Sequence, residues 1–286
     1  MHSCMLQYSY MLKKSQYQEV VRFDLARTLA GKGRYWTTCY MVGDTMIDTG
    51  CAHTSKELTS TLKDLQVRHI INTHTHEDHI GGNGLLQSNR KEMDIFAHPE
   101  ALPVLSDPRR TQPLHPYRKL FWGWPKPSEA RSVEDGGYVN TEFHKFQVIY
   151  TPGHSPDHVC LYELDRQWLF SGDLYVGGRD RALREGYDIW QIIESLKRIA
   201  RLSISILFPG CSRVRENPGQ ELSSKISYLE ELGGKVLDFY AKGYSSQKIS
   251  QELLGGSMWV EVVTLGHFSR NRLVLAYLNQ NNNGRR

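Results

Sequence analysis

Apolar residues fall along this chain in short runs broken by tight turns, a spacing that predicts strands and short helices in alternation from Val20 onward. TTCYMVGDTMIDTG, residues 37–50, has apolar residues dense on both arms of a Gly43-Asp44 turn and predicts a hairpin. HTSKELTSTLKDL follows, with Leu58, Leu62 and Leu65 on one helical face and Thr54 and Glu57 spaced as a capping box. VRHIIN, rich in β-branched residues, predicts a strand that ends at a cluster of histidines. Later, FHKFQVIYTPGH predicts a strand running into a turn, VCLYELDRQWLFSGD a hairpin about Asp165-Arg166, IWQIIESLKRIARL an amphipathic helix and SISILFPG another strand.

Between these two regular stretches lies a segment from Pro103 to about Gly137 with neither period. It carries Pro103, Pro108, Pro113, Pro116, Pro125 and Pro127 together with Phe121, Trp122 and Trp124. Such a segment predicts a long excursion over the surface, either a lid or an insertion with its aromatics packed down. The elements therefore fall into two similar halves. From about Pro218 the signal turns helical: SSKISYLEELGGKVLDFYAKGYSSQKISQELLGG predicts two or three short helices and SRNRLVLAYLNQ a last one. A boundary is expected near residue 220, giving units 1–220 and 221–286.

Composition adds limits rather than an answer. With 286 residues, 40% hydrophobic and 23% charged, the chain fits one large globular domain with an appendage. A net charge of +4 makes no electrostatic case for a nucleic-acid groove. Five scattered cysteines (Cys4, Cys39, Cys51, Cys160, Cys211) with no CxxC pair point to free thiols in a reducing compartment. The opening stretch lacks the basic and apolar regions of a secretory signal, and no apolar run approaches the roughly 20 residues of a membrane helix. The expectation is a cytoplasmic protein without membrane or nucleic-acid partners, acting on a small molecule, with its oligomeric state open.

The chemistry concentrates in NTHTHEDHIGG, where His74, His76, Glu77, Asp78 and His79 crowd a single turn. Unpartnered buried charges cost several kcal/mol, so a cation is expected to offset them. His74 and His76, two apart on an extended segment, point to one side and suit one metal; Asp78 and His79 aim differently and suit a second. Imidazole with carboxylate favours zinc, iron or manganese over calcium or magnesium. The Gly81-Gly82 pair lets the backbone pass close to such a site. Two further strand ends offer ligands: TPGHSPDH presents His154 and FSGD presents Asp173.

This ordered set resembles the metallo-β-lactamase fold superfamily over roughly residues 20 to 215, with IDTG at Asp48 matching the family's first motif. The resemblance implies an α/β fold, a four-layered αβ/βα sandwich, with a small helical, winged-helix-like C-terminal unit. It implies that His74, His76 and His154 hold one metal, that Asp78 and His79 hold another, and that Asp173 bridges them. Asp48 would be a structural acid under the metal loop. Two cations so bridged sit roughly 3.5–4 Å apart and bring the pKa of a bound water down toward about 7. The implied activity is hydrolysis by a metal-bound hydroxide of a small ester, thioester or lactone, with Asp78 and Asp173 as catalytic carboxylates and one or two Zn2+ (or Fe or Mn) per chain. The SGDLYVGG stretch is similar to glyoxalase-type thioesterases, and the C-terminal helices to the lactamase-like-2-type ribonucleases.

One position departs from the family. Its last segment reads P-G-H, and here LFPGCSRV places Cys211 where that histidine stands. Two readings stay open: a thiolate ligand that keeps a dinuclear, zinc-preferring site, or a thiol that stands off and leaves the second site weak. Two alternatives to the leading activity stay open: a phosphodiesterase or ribonuclease of the same fold, suggested by the C-terminal helices, and a non-catalytic metal-binding or redox-sensing protein, suggested by Cys211. Among other candidates, His158 is expected to brace the turn, His53 to sit at a helix start or behind a ligand, and Tyr175 to be packed rather than facing an oxyanion. His267 is expected on the surface unless the C-terminal unit folds over the site.

Overall fold

The computed structural model describes residues 10–29, 32–90, 92–255 and 258–283; Cys4 and the opening stretch lie outside them. Two sheets pack face to face. The first has seven strands lying in sequence order: Tyr10–Tyr17, Val20–Leu29, Lys32–Val42, Thr45–Ile47, His69–Ile71, Asp94–Ala97 and Arg131–Ser132. The second has six, from Arg215–Glu216 at one edge through Ile206–Pro209, Trp168–Gly172, Val159–Glu163 and Lys145–Tyr150 to Tyr138–Asn140 at the other. Gly43, at a positive φ of 57°, closes the expected hairpin between the third and fourth strands.

Successive side chains take opposite faces of each sheet, and this explains the stacking. Tyr40, Ile47 and Ile71 of the first sheet meet Phe146, Phe170 and Phe208 of the second in a closed inter-sheet core. Each such side chain contributes roughly 1.5–3 kcal/mol on burial. Leu58 and Leu86, from helices Ser55–Thr61 and Asn83–Asn89, cover the outer face of the first sheet. Ile192 and Leu196 of the helix Ile189–Ala200 cover the second, joined by Leu229 and Tyr277 from the C-terminal helices. The result is the four-layered αβ/βα sandwich. The C-terminal helices thus pack into the same apolar cluster as the helix Ile189–Ala200.

Three local expectations are corrected. Thr54 occupies the N-cap position of Ser55–Thr61 but makes no side-chain cap; its hydroxyl donates backward to the Cys51 carbonyl at 3.1 Å. The proline-rich excursion is helical in its first part: Leu102–Ser106, Pro108–Thr111 and Pro116–Phe121 are short helices with proline in the first turn. Proline is favoured there because the missing N–H would be unpaired anyway. After residue 218 the helices are Gly219–Ala241, Ser246–Leu254, Trp259–Val263 and Arg270–Asn283, the first running unbroken through Gly233-Gly234. A Cβ at Gly233 would come within 2.9 Å of the Tyr277 ring, so this glycine permits close helix approach rather than marking a break. Among the described residues no helix is long and apolar enough to cross a membrane.

Candidate metal centre

Strand ends from both sheets deliver the functional side chains to one edge of the sandwich. The histidine loop follows His69–Ile71, His154 follows Lys145–Tyr150, Asp173 follows Trp168–Gly172 and Cys211 follows Ile206–Pro209. The last two of these strands are parallel neighbours, so their carboxyl ends lie side by side.

His74, His76 and His154 converge. The Nδ1 of His76 lies 2.9 Å from Nε2 of His74 and 3.0 Å from Nε2 of His154. Three ligands on a tetrahedral zinc, at bond lengths of about 2.0–2.1 Å, stand about 3.3 Å apart, close to these separations. Burial pulls all three imidazoles toward the neutral form that binds metal: His74 and His76 fall well below the ordinary value, and His154 to about 4 against the pull of Asp173. His74, His79 and Asp173 form a second group able to hold a cation. The Oδ2 of Asp173 lies 3.5 Å from Nε2 of His79 and 3.6 Å from Nε2 of His154, between the two groups. Its other oxygen, Oδ1, is buried with no hydrogen-bond partner. An orphaned carboxylate oxygen beside convergent imidazole nitrogens fits a cation and little else. Asp78 stands farther out, with Oδ2 4.0 Å from Nε2 of His79, and Cys211 lines the same cavity. Burial, with Asp173 and Asp78 beside it, pushes the Cys211 thiol well up, toward the protonated form.

The shell behind these groups fixes which nitrogens face the centre. Asp48, at φ 59° and almost fully buried, accepts from the Thr73 amide at 2.8 Å, from the Thr73 hydroxyl at 2.7 Å and from Nδ1 of His79 at 2.7 Å. The Thr73 hydroxyl, committed as donor to Asp48, accepts from Nδ1 of His74 at 3.0 Å. Both histidines therefore carry a proton on Nδ1 and turn Nε2 toward the centre, bare in His74. Burial lowers the His79 pKa, but Asp173 and Asp48 outweigh it and hold that ring's pKa well above the ordinary value. His158, fully buried, accepts from the Asp173 amide at 3.2 Å and contacts Thr151 at 2.9 Å, bracing the turn that carries Asp173. A Cβ at Gly210 would lie 2.5 Å from Oδ1 of Asp173 and 2.9 Å from Cε1 of His79, so only glycine leaves that space open.

Other sequence candidates lie elsewhere. Tyr175 is buried and donates to Glu221 at 2.9 Å. His53 contacts Arg27 and the Lys119 carbonyl, against the excursion. The C-terminal segment does reach the site, since Val260, Thr264 and Phe268 line its cavity, but Nδ1 of His267 sits 2.9 Å from the Tyr117 hydroxyl and its ring stacks on His115.

Several residues, and one partnership of a residue already singled out, were missed in the sequence. Asp157 accepts from the Thr75 amide at 2.7 Å and ties the two metal loops together; it sits inside TPGHSPDH, where the histidines drew attention away. Glu77, fully buried, pairs with Arg118 from the excursion, a partnership no local pattern could reveal. Burial pushes the Glu77 carboxyl up to about 7 although Arg118 pulls it down. Arg184 and Tyr187, in the aperiodic stretch after Asp173, also border the cavity.

Comparison with known proteins agrees with this geometry. The model of the metallo-beta-lactamase superfamily matches residues 37–211. A hydroxyacylglutathione hydrolase from Francisella tularensis subsp. novicida (strain U112) is 36% identical over 140 residues, 48% of this chain and 46% of the relative, so the match spans about half the length of that protein. A beta-lactamase-like protein 2 homolog from Drosophila melanogaster is 28% identical over 76% of this chain and 70% of its own. A metallo-beta-lactamase family protein from Thermus thermophilus superposes with a TM-score of 0.61 at 17% identity, covering 96% of this chain and 94% of that one. TTHA1623, crystallised in a di-iron-bound form, matches at TM-score 0.52 and 28% identity over 66% of this chain and 94% of its own.

Proposed function

Because the chain belongs to the metallo-beta-lactamase superfamily, we propose that it is a metal-dependent hydrolase of small acyl compounds, thioesters foremost among the esters, thioesters and lactones the site admits. One observation carries this reading: His74, His76 and His154 converge, and His76, His154 and Asp173, whose Oδ1 has no partner, line a cavity of ≈ 340 Å³ whose walls are largely apolar. Two relatives bear names in the same direction, the hydroxyacylglutathione hydrolase and an atrochrysone carboxyl ACP thioesterase from Aspergillus fumigatus at 26% identity. Zinc or iron is the metal the donor set fits, with manganese a third possibility, and the di-iron form of TTHA1623 supports counting iron among them.

A divalent metal bound there acidifies a coordinated water and polarises a carbonyl. The chain's own residues do the rest. Asp48 and Thr73 hold a proton on Nδ1 of His79 and His74 and so leave Nε2 of each ring as the nitrogen that would take the metal. Asp173 supplies the carboxylate between the two groups, and its unpartnered Oδ1 is the oxygen left for a cation. Asp78, at the cavity edge, offers the second carboxylate. Tyr35, Tyr117, Trp122, Val260 and Phe268 wall the cavity and exclude bulk water from an acyl chain. This apolar wall favours an acyl substrate over the phosphodiester alternative.

The test is turnover by zinc- and iron-loaded protein of an S-acyl thioester, a p-nitrophenyl ester, a lactone and bis(p-nitrophenyl) phosphate. Acyl turnover lost on chelation and in His76→Ala is expected. Turnover of the phosphodiester alone, or turnover indifferent to chelation, refutes the reading.

A further inference from the structure

Three cationic side chains line the cavity: Arg118, Arg184 and Lys225. Arg118 is paired with buried Glu77, and Lys225 with Asp180 at 2.9 Å. Among the described residues, Arg184 has no carboxylate among the partners of its guanidinium. It points an NH1 at Nε2 of His76, 3.0 Å away, lies over the face of Tyr187 at 5.5 Å, and leaves its Nε buried with no partner. A guanidinium in a partly dry cavity without a counter-charge is costly. Its planar fork suits two-point capture of a carboxylate or phosphate.

Of the carboxylates lining the cavity, Asp180 is paired with Lys225, and Asp78 and Asp173 are those a metal would take. A metal held on Nδ1 of His76 leaves Nε2 of that ring as an N–H donor, which ends its role as acceptor for Arg184 and frees NH1 for another acceptor. The position of Arg184 is not accidental. The strand Leu183–Arg184 pairs with Phe268–Ser269 of the C-terminal segment, the Glu185 amide donates to the His267 carbonyl at 2.9 Å, and Arg272 pairs with Glu185 at 2.8 Å. The C-terminal segment thereby holds Arg184 over the site.

We propose that Arg184 is the receptor for an anionic group of the substrate, a carboxylate or a phosphate carried close to the scissile carbonyl, and that the substrate class is anionic acyl thioesters or esters. The proposal rests on the acyl-hydrolase reading for its substrate, while the binding measurement below stands apart from turnover. The remainder of the acyl compound packs against the apolar wall.

Three thioesters of N-acetylcysteamine separate the possibilities: S-butanoyl, S-succinyl and S-(3-phosphonopropanoyl). Wild-type protein is expected to show a KM at least tenfold lower for one or both anionic thioesters than for the butanoyl compound, and the better of the two identifies the anion. In Arg184→Met at equal zinc content that preference collapses to near unity. Calorimetric binding of succinate and of 3-phosphonopropanoate to zinc-loaded protein weakens at least tenfold in the same variant, whereas an anion bound to the metal alone keeps its affinity. Arg184→Gln, whose amide can accept from Nε2–H of metal-bound His76 or donate to that nitrogen without metal, is read the same way should the Met variant lose its zinc.

Absence of any preference in the wild type, or its survival in the neutral variants, overturns the proposal. So does loss of zinc from both variants, which makes Arg184 a brace for His76. If none of these thioesters is turned over, the hydrolase reading stands or falls on the ester and lactone assays, and calorimetry alone decides the role of Arg184.

Discussion

Replacing Asp48 by Asn tests whether the buried shell, rather than the ligands alone, prepares the centre. The substitution keeps shape and removes charge. Three charge-assisted hydrogen bonds, at 2.8, 2.7 and 2.7 Å, become neutral ones. The difference between the two kinds is about 1 kcal/mol per bond, so about 3 kcal/mol of stability is lost. The larger effect is on proton placement. The Asn amide turns its NH2 toward Nδ1 of His79 and the Thr73 hydroxyl, both of which donated to Asp48 before. His79 must then accept on Nδ1 and carry its proton on Nε2, and Thr73, now free to donate, pushes His74 the same way. Both rings point an N–H where a metal needs a lone pair. Loss of such an outer partner weakens metal binding by about 10- to 100-fold. Zinc titration into chelator-stripped protein, followed by calorimetry, and thermal melts with and without zinc measure both effects. A lowered Tm with unchanged zinc affinity refutes the tautomer argument and leaves Asp48 a purely structural acid.

Arg118→Ala strands fully buried Glu77 and is expected to cost about 3–5 kcal/mol in denaturant unfolding, most of it recovered in Glu77→Gln/Arg118→Met; a cost undiminished in the double variant contradicts this. Gly210→Ala drives a methyl to within 2.5 Å of Oδ1 of Asp173 and should lower metal content at a stability cost of about 1–3 kcal/mol, read by elemental analysis and melting. Cys211→His is expected to raise zinc per chain, by offering an imidazole where the native thiol is held protonated by burial and by Asp173 and Asp78; unchanged stoichiometry means position 211 does not reach the metal.

What the sequence revealed and what it hid follow from the range of the interactions. The histidine loop, His154 and Asp173 were legible because each follows a strand of strong apolar pattern and belongs to a motif of a few residues. The hairpin at Gly43-Asp44 and the helix Ile189–Ala200 were legible for the same local reason. Glu77 with Arg118, and the strand Leu183–Arg184 with Phe268–Ser269, join residues far apart in the chain and leave no periodic trace. The prolines of the excursion misled because a helix start and a loop use the same residue. Thr54 misled because its hydroxyl found a nearer acceptor in the Cys51 carbonyl. Cys211 was visible as a departure, yet its position between ligand and bystander depends on burial that spacing alone does not encode.

The most direct test is anomalous diffraction from crystals of protein purified without added metal, collected across the zinc, iron and manganese edges. The account expects a peak bonded at about 2.0–2.1 Å to Nε2 of His74, Nδ1 of His76 and Nε2 of His154, with Asp173 at its side. No peak among those three nitrogens, even after soaking with zinc, contradicts it.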